Sequence, residues 1–272
     1  MKKMRLDLLL MEMELFNSRN EAQSAIINEQ IFVNEELIVK SGTLVNSTSK
    51  IKIKKNEQQF VSRGGYKLLH AIKQFNITLD NLVCLDVGSS TGGFTDCMLQ
   101  HNAKKVYSID VGTNQLVWKL RIDPRVVVME KTNFRYVKKD KFLDEINFVS
   151  IDVSFISLKK IIVPLVNILD ANAELVCLIK PQFEANRENI SKGGVVKDLE
   201  IHQNIIEDLI VFLNENNFSI KDLTYSPILG NKKGNVEYLI YAIFRSKNNF
   251  KKINVIKVIN NAQNILKRAK NT

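Results

Sequence analysis

Apolar runs alternate with amphipathic stretches through the middle of the chain, and this alternation predicts the fold class. From Gly64 to about Phe244, helical spacing fills most of the intervals between six short apolar runs, at residues 82–88, 105–112, 126–133, 148–154, 174–181 and 237–244. This order of strand-like and helix-like segments indicates an α/β fold with a doubly wound, mostly parallel sheet. Because such sheets bind ligands beyond the carboxyl ends of their strands, we expect functional residues directly after each run.

The first 58 residues follow a different pattern and predict a separate, small α+β domain. Residues 5–29 have apolar positions at helical spacing, and Asn17-Ser18 offers an N-cap between two helices. Residues 30–54 alternate in short runs that are typical of small strands joined by turns. We therefore predict a small domain at 1–58, a linker at 59–63 and a larger domain at 64–246.

Residues 247–272 predict a basic amphipathic helix or tail. Its apolar residues recur at three-to-four spacing, at Val255, Ile259, Ala262, Leu266 and Ala269. The net charge of the chain is +10, and eight Lys/Arg with no Asp/Glu lie between residues 245 and 272, which leaves 31 basic against 29 acidic residues elsewhere. A basic helix suits a polyanion such as nucleic acid, and a solvated tail in a lysine-rich chain is the alternative.

Cysteine usage and hydropathy restrict the environment of the protein. Cys84, Cys97 and Cys177 are far apart and show no CxxC spacing, which favours buried thiols in a reducing cytoplasm over a disulfide or a metal site. No apolar run approaches the roughly 20 residues that a membrane span needs. Charged residues interrupt the N-terminal leucines and no small-residue cleavage site follows, so we expect a helix of the mature protein there.

The residues after the first three runs predict an adenosine-type cofactor. Asp86 precedes a turn of glycines and hydroxyl residues at 88–93, and the helix predicted after this turn offers free N–H groups. Asp110 lies 22 residues past Gly88, as ribose-binding carboxylates commonly do, and Asn133 is placed for a base edge. The phosphate-binding patterns GxGxxG and GxxxxGK[ST] are absent. S-adenosylmethionine therefore fits better than NAD, with a nucleotide-dependent oxidoreductase as the alternative.

Four charged residues are candidates for the chemistry. Asp152 follows the fourth run, Lys180 follows the fifth, Glu237 opens the sixth, and Lys67 precedes the sheet. Each has an ordinary alternative as a solvated lysine, a turn-capping carboxylate or an edge charge. Their shared position at the cofactor end favours a cluster around a hydroxyl nucleophile, in which a lysine that has lost affinity for its proton can act as a base.

The turn after the fourth run bears on the acceptor. It has the sequence Asp152-Val153-Ser154-Phe155. Amino-group methyltransferases commonly carry Asn/Asp-Pro-Pro-aromatic at this place. Because the prolines are missing, an exocyclic amine is disfavoured as the methyl acceptor.

Several motifs, in order along residues 4–244, resemble the TlyA family, long labelled hemolysin A. The stretch from "RLDLLL" to "SRNEAQSAIINEQIFVNEELIVKSG" resembles the small RNA-binding module of ribosomal small-subunit protein four. The motifs "FVSRGGYKL", "LDVGSSTGGFTD", "IDVSFISL", "IKPQFE", "KGGVVKD" and "GNVEYL" resemble the methyltransferase domain of the family. That domain is similar to the FtsJ-type RNA ribose methyltransferases.

The resemblance implies a Rossmann-like, S-adenosylmethionine-dependent methyltransferase that acts on the ribose 2'-hydroxyl of a cytidine in ribosomal RNA. It implies a Lys-Asp-Lys-Glu tetrad at Lys67, Asp152, Lys180 and Glu237, with Lys180 as the base. The implied cofactor residues are Asp86, Gly88, Ser89, Ser90, Thr91, Gly92, Gly93, Phe94, Asp110, Asn133 and Asp152. The implied RNA contacts are Arg5, Arg19, Lys40 and Arg63.

The chain departs from the family pattern at three residues. Glu29 and Glu35 stand where the RNA-binding module usually has glycine, which is costly if those turns need positive φ. Asn133 stands where FtsJ-type enzymes often have Asp. Residues 1–58 carry 9 basic against 8 acidic residues, so RNA binding there would rest on specific side chains. A membrane-active hemolysin and an RNA-binding assembly factor without turnover stay open as alternatives.

Overall fold

The computed structural model describes residues 3–16, 18–27, 30–53, 59–230, 234–245 and 253–270. It divides the chain into two compact units, Met1–Gln59 and Phe60–Thr272. Asn17, the first residue of the predicted helix cap, lies outside the described residues, as do Glu29 and much of the basic segment after Arg245.

The first unit combines two short helices with two small antiparallel sheets. Its elements are β1 (Lys3–Arg5), α1 (Leu6–Glu12), α2 (Arg19–Ile27), β2 (Ile31–Val33), β3 (Glu36–Leu37), β4 (Leu44–Asn46) and β5 (Ile51–Ile53). One sheet pairs β1 with β4, and the other has the order β3-β2-β5. The apolar faces of both helices meet these strands in one core, whose buried residues are Leu6, Leu9, Leu10, Ala22, Ala25, Ile26, Ile31, Val33 and Val45.

The turn between β2 and β3 contains Glu35, which stands where the RNA-binding module usually has glycine. Asn34 and Glu35 have φ values of 49° and 70°, so both central residues of this two-residue hairpin are left-handed. Such a turn matches the twist of the strands but favours Asn followed by Gly. Glu35 therefore occupies a position that does need positive φ, at a cost to the stability of the turn.

The second unit is a seven-stranded sheet with helices on its faces. Its helices are α3 (Gly64–Phe75), α4 (Gly93–Gln100), α5 (Trp118–Arg121), α6 (Lys159–Leu165), α7 (Pro181–Glu184), α8 (Leu199–Glu215) and α9 (Val255–Lys270). Its strands are β6 (Val83–Val87), β7 (Lys105–Ile109), β8 (Val126–Met129), β9 (Phe148–Ile151), β10 (Glu174–Ile179), β11 (Phe218–Tyr225) and β12 (Tyr238–Phe244). Short 3₁₀ turns lie at Phe134–Tyr136, Lys139–Lys141 and Arg187–Asn189.

The strand order β11-β12-β10-β9-β6-β7-β8 confirms the predicted doubly wound sheet. The five strands from β8 to β10 are parallel, and β12 is antiparallel to both β10 and β11. The chain winds outward in one direction from β6 through β7 and in the other from β9 through β10. The switch point therefore lies between β6 and β9, where a ligand crevice is expected.

Two features of this unit differ from the sequence-based expectation or add to it. Strand β11 was not among the six predicted runs, because Lys221 and Asp222 interrupt its apolar alternation at a bulge. Helix α9 packs on α8 and β11, and it buries Val255, Ile259 and Ala262 in the core of the second unit. Residues 255–262 of the predicted basic tail are therefore part of this folded unit.

The three cysteines are buried and free, as predicted, and burial raises the pKa of each thiol. Within the described part of the chain, no helix is long and apolar enough to cross a membrane. No group of His, Cys, Asp or Glu among the same residues is arranged to hold a metal ion.

Candidate active site

A cavity of about 470 Å³ opens at the switch point, beyond the carboxyl ends of β6 to β9. Its polar residues come from the turns that follow these strands, and its apolar residues form a slot between them. The lining comprises Val87, Gly88, Ser90, Ile109, Asp110, Val111, Gln115, Thr132, Asn133, Phe134, Arg135, Asp152, Val153, Ser154, Phe155, Ile156 and Ile161. A mostly apolar slot with a few fixed polar groups is typical of a small-molecule site.

Gly88 explains why the chain turns so sharply at the end of β6. Its φ is +86°, and a Cβ at this position would lie 2.6 Å from the carbonyl oxygen of Asp152. Its N–H and that of Ser89 both donate to the carbonyl of Ile109. The turn is thus locked between β7 and β9, and only a glycine fits where these two strand ends approach.

Asp110, which follows β7, contributes a carboxylate to the lining of this cavity. One carboxylate oxygen accepts a hydrogen bond from the N–H of Ser90 at 2.8 Å, and the other accepts one from the N–H of Gly112 at 2.7 Å. Each oxygen keeps a further lone pair for a ligand hydroxyl. Asn133, after β8, accepts from the backbone and the side chain of Arg135 at 3.2 and 3.3 Å. Both residues therefore line the cavity in fixed orientations.

Asp86 lies beneath the cavity and does not line it. Its carboxylate is fully buried and accepts hydrogen bonds from the hydroxyls of Thr95 at 2.6 Å and Ser150 at 3.3 Å. Burial is the largest of several effects that together raise the pKa of Asp86 to about 7. Gly92, also predicted to bind the cofactor, has a φ of +98° and packs against Leu116 and Leu120. Both residues support the turn from below.

A smaller cavity of about 280 Å³ adjoins the first one. The two share Gly88, Ser90, Asp152 and Ser154, so they meet at the ends of β6 and β9. The remaining lining is Ser62, Arg63, Gly64, Lys67, Ser89, Thr91, Gly93, Phe94 and Lys180. This second space is more polar and carries two lysines, which the larger cavity lacks.

Lys67, Asp152, Lys180 and Glu237, here called the charged cluster, come together at this junction. The Nζ of Lys67 donates to Glu237 Oε2 at 2.6 Å and lies 3.9 Å from Asp152 Oδ2. The Nζ of Lys180 lies 2.5 Å from Asp152 Oδ1 and donates to the hydroxyl of Ser154 at 2.9 Å. The two lysines therefore flank Asp152, and Glu237 stands behind Lys67 without lining either cavity.

The wall behind Glu237 is held by three further contacts that sequence reasoning missed. A Cβ on Gly230 would overlap the Glu237 carboxylate, so this glycine lets the backbone approach the acid. The next residue, Tyr238, shares a 2.7 Å hydrogen bond with Nδ1 of His202. The other ring nitrogen of His202 contacts the carbonyl of Val196 at 3.0 Å, and burial lowers the pKa of this histidine. A neutral ring that donates through Nε2 satisfies both contacts.

An exposed aromatic residue stands at the mouth of the larger cavity. Phe155 is 90% exposed and has a φ of +63°, an unusual conformation for a bulky residue. Its ring lies 5.0 Å from that of Phe183, and Nζ of Lys180 lies 5.8 Å from the Phe183 ring. The sequence placed Phe155 in the turn after the fourth run but gave no sign that it faces solvent.

The predicted RNA contacts have different surroundings. Arg63 is exposed and lines the smaller cavity. In the first unit, Arg5 and Arg19 both form ion pairs with the buried carboxylate of Asp7. Lys40 is exposed and has no ion pair with a described residue.

The donor set of the two cavities fits S-adenosylmethionine. Asp110 and Asn133 offer a carboxylate and an amide to a ribose and a base, and Phe134 and Ile161 line an apolar slot for the ring. The close approach at Gly88 leaves room for a ligand backbone between the strand ends. The smaller, polar cavity suits the charged amino acid part. These features define the class of the second unit, an S-adenosylmethionine-dependent methyltransferase.

Comparison with known proteins identifies the family. The sequence model of FtsJ-like methyltransferases matches residues 60–244. Hemolysin A of Brachyspira hyodysenteriae is 44% identical over 88% of this chain and 100% of its own length. The 16S/23S rRNA (cytidine-2'-O)-methyltransferase TlyA of Mycobacterium tuberculosis is 35% identical over 88% of this chain and 90% of its own. A solved structure described as a candidate hemolysin from Streptococcus thermophilus is 40% identical, with a TM-score of 0.79 over 100% of both chains.

The chain therefore belongs to the FtsJ-like methyltransferase family, within the group of relatives that carry the names TlyA and hemolysin A. The resemblance deduced from the sequence motifs is confirmed, and so are the fold class and the methyl donor. An oxidoreductase does not fit this family.

Proposed function

We propose that the protein transfers a methyl group from S-adenosylmethionine to the ribose 2'-hydroxyl of a cytidine in ribosomal RNA. The observation that carries this proposal is the charged cluster at the junction of the two cavities, where the methyl donor and an acceptor hydroxyl would meet. The name of the Mycobacterium tuberculosis relative, a cytidine-2'-O-methyltransferase of 16S and 23S rRNA, supports the choice of acceptor.

In this proposal the cofactor residues act mainly by positioning. S-adenosylmethionine, when bound, supplies a methyl group on a positively charged sulfur. The Gly88 turn, Asp110 and Asn133 hold the adenosine part in the larger cavity. The smaller cavity is bounded by Ser89, Ser90, Thr91, Gly93 and Phe94. Asp86 and Gly92 keep the turn in shape from below. Fixing two reactants in a reactive geometry can supply a large part of a rate enhancement.

Lys180 is the proposed base. It lines the smaller cavity, and its Nζ is held between Asp152 and Ser154. In its uncharged form it would accept the proton that the ribose hydroxyl loses when its oxygen bonds to the methyl carbon and the sulfur–methyl bond breaks. Asp152 orients the lysine and stabilises the ammonium ion that forms. Lys67, fixed by Glu237, offers N–H donors to the ribose from the opposite side of Asp152.

The surroundings of the charged cluster suit a single-stranded nucleotide. Phe155 and Phe183 offer aromatic faces beside Lys180, and bases stack on such side chains with little regard to sequence. Arg63 at the smaller cavity offers a guanidinium to a phosphate. We propose ribosomal RNA or ribosomal subunits as the partner and the cytoplasm as the location.

The proposal is tested by mapping ribose methylation on rRNA from cells without the protein, after incubation with S-adenosylmethionine and purified wild type or Lys180→Ala. We expect new 2'-O-methylcytidine with the wild type and a rate at least about 10²-fold lower with the variant. Calorimetry should show that the variant still binds S-adenosylmethionine. Lys160→Ala, which removes an exposed lysine of α6 that lines neither cavity, is the matched control and should react normally.

Two outcomes would count against the proposal. Wild-type protein that binds rRNA but transfers no methyl group would support the assembly-factor alternative. Full activity of Lys180→Ala would remove Lys180 as the base without affecting the identity of the acceptor.

A further inference from the structure

The first unit contains a buried carboxylate that holds two arginines. Asp7, in the first turn of α1, is fully buried, whereas the side chains of Arg5 and Arg19 are 43% and 50% exposed. Arg5 donates to both carboxylate oxygens of Asp7 at 3.0 Å, in a two-point fork. Arg19 reaches Oδ2 through Nε at 3.0 Å and through a terminal nitrogen at 2.9 Å. The amide of Gln23, one helical turn after Arg19, donates to the same oxygen at 2.8 Å.

Asp7 thereby fixes both arginines but engages only some of their N–H donors. A guanidinium has five N–H donors, and Asp7 engages two nitrogens of each. Two positive charges against one negative charge leave a net charge of +1 on this triad. Because Asp7 is buried and both guanidiniums reach the surface, the triad presents cations outward and keeps its anion inside. The Arg5, Arg19 and Gln23 contacts also hold the pKa of Asp7 well below its usual range, so the carboxylate is charged at neutral pH.

A third cation belongs to the same part of the unit. The N–H groups of Leu6 and Asp7 donate to the carbonyls of Thr43 and Ser41, which ties the start of α1 to this turn. A Cβ on Gly42 would lie 3.5 Å from Nη1 of Arg5, so the turn passes directly beside that guanidinium. Lys40 is exposed at the start of this turn, so a third positive charge lies two residues before Gly42 in the chain.

We propose that Asp7 is a positioning residue, which holds Arg5 and Arg19 as a preorganised pair for phosphate groups of the RNA backbone. Arginine forks match phosphate oxygens in geometry as well as in charge. Fixing two long side chains before binding removes an entropy cost that binding would otherwise carry. The inference rests on the proposed rRNA substrate and adds which residue organises its recognition by the first unit.

Asp7→Asn tests the inference because simple electrostatics predicts the opposite result. The substitution raises the net charge by one, and charge alone would therefore strengthen binding to a polyanion. Preorganisation predicts weaker binding, by about tenfold for two released arginines. Glu36→Gln, at an exposed position in β3, makes the same charge change in the same unit without touching an arginine, and it should bind as tightly as the wild type or tighter.

The measurement is equilibrium binding to rRNA and to ribosomal subunits from cells without the protein, at one salt concentration and without S-adenosylmethionine. Circular dichroism establishes whether each variant is folded. If Asp7→Asn does not fold, Arg19→Lys carries the test, because it keeps the charge but loses the fork and should bind about fivefold more weakly.

The outcomes separate the inference from the proposed function. Folded Asp7→Asn that binds as tightly as the wild type, or Arg19→Lys that binds normally, overturns the role of Asp7 and leaves the rRNA substrate intact. Wild-type protein that binds neither rRNA nor subunits overturns the proposed substrate and this inference together.

Discussion

Lys67 and Glu237, 170 residues apart in the chain, form an ion pair of 2.6 Å whose side chains are 9% and 3% exposed. The desolvation of two charges offsets most of their mutual attraction, so such a pair is weak evidence for stability. The position of this pair beside Asp152 indicates a role in the reaction rather than in stability. The pair presents a lysine of fixed orientation to the space in which we place the acceptor ribose.

Breaking this pair from one side should be worse for stability than removing it altogether. We expect Lys67→Met and Glu237→Gln each to lower the free energy of unfolding, by up to about 3–5 kcal/mol where a charge is left buried alone. The double variant should regain a large part of that loss. All three should transfer the methyl group much more slowly than the wild type. Urea unfolding measures the cycle, and Lys139→Met, in a more exposed pair with Asp170, is the control with little effect. Additive losses would show that the two residues do not act as a pair.

Asp86 gives the second unit a specific dependence on pH. Its pKa is raised from 3.8 to about 7, so the folded state holds this proton more tightly than the unfolded chain does. The stabilisation that comes from this proton is fully present below the pKa of Asp86 in the unfolded chain. It is lost as the pH rises through the folded-state pKa of about 7. The stability of the wild type relative to Asp86→Asn should therefore fall between pH 4 and pH 7, by roughly 4 kcal/mol at most.

Urea unfolding of both proteins across this pH range provides the measurement. Asp123→Asn is a useful control, because the pKa of Asp123 is lowered by Arg125 and its effect is confined to acid pH. A difference between wild type and Asp86→Asn that stays constant from pH 4 to pH 7 would contradict the raised pKa.

Tyr238 connects the site to the rest of the second unit. Tyr238→Phe removes only the hydroxyl that meets His202, and we expect a cost of about 1–3 kcal/mol in unfolding. If the contact positions Glu237, the turnover number should also fall by about tenfold with little change in cofactor affinity. In a Glu237→Gln background the same substitution should have little further effect on the rate.

Tyr241→Phe is the matched control for this experiment. Tyr241 lies on the same strand and donates a partly buried hydrogen bond to Glu174 at 2.7 Å, away from the charged cluster. It should lower stability without lowering turnover. Equal turnover losses in both tyrosine variants would indicate a structural effect only.

The left-handed turn at Asn34 and Glu35 offers a stabilising substitution. Glu35→Gly places the residue that tolerates positive φ at the position where φ is 70°. The exposed ion pair that Glu35 makes with Lys52 at 3.7 Å contributes little. We expect the first unit to gain about 1 kcal/mol, measured by thermal unfolding. Glu36→Gly, in the following strand, should destabilise it instead, and a gain there would point to another cause.

Sequence patterns predicted the parts of this protein that depend on local order. Strands, the Gly88 turn and the charged residues after each run follow from periodicity and spacing along the chain. How deeply a residue is buried in the fold does not follow from periodicity and spacing. Asp86 is the second-last residue of β6 and Asp110 directly follows β7. Only Asp110 reaches the cavity, because Thr95 and Ser150 cover Asp86 from neighbouring elements. The partners of Asp7 and the exposure of Phe155 likewise depend on contacts between distant residues.

Helix α9 illustrates the same point and leads to the last prediction. The basic composition of residues 247–272 suggested nucleic-acid binding, but deleting this segment would also remove the core contacts of Val255, Ile259 and Ala262. We expect Ile259→Ala to destabilise the second unit by about 2–4 kcal/mol. Ile256→Ala, on the same helix at a residue that is 54% exposed, should stay within about 0.5 kcal/mol of the wild type. Urea unfolding distinguishes the two, and equal effects would mean that α9 does not pack as described.

If Ile259→Ala is destabilising, the charge of this helix must be tested by lysine substitutions in the full-length chain, such as Lys257→Gln. A deletion would not separate a loss of RNA binding from a loss of folding.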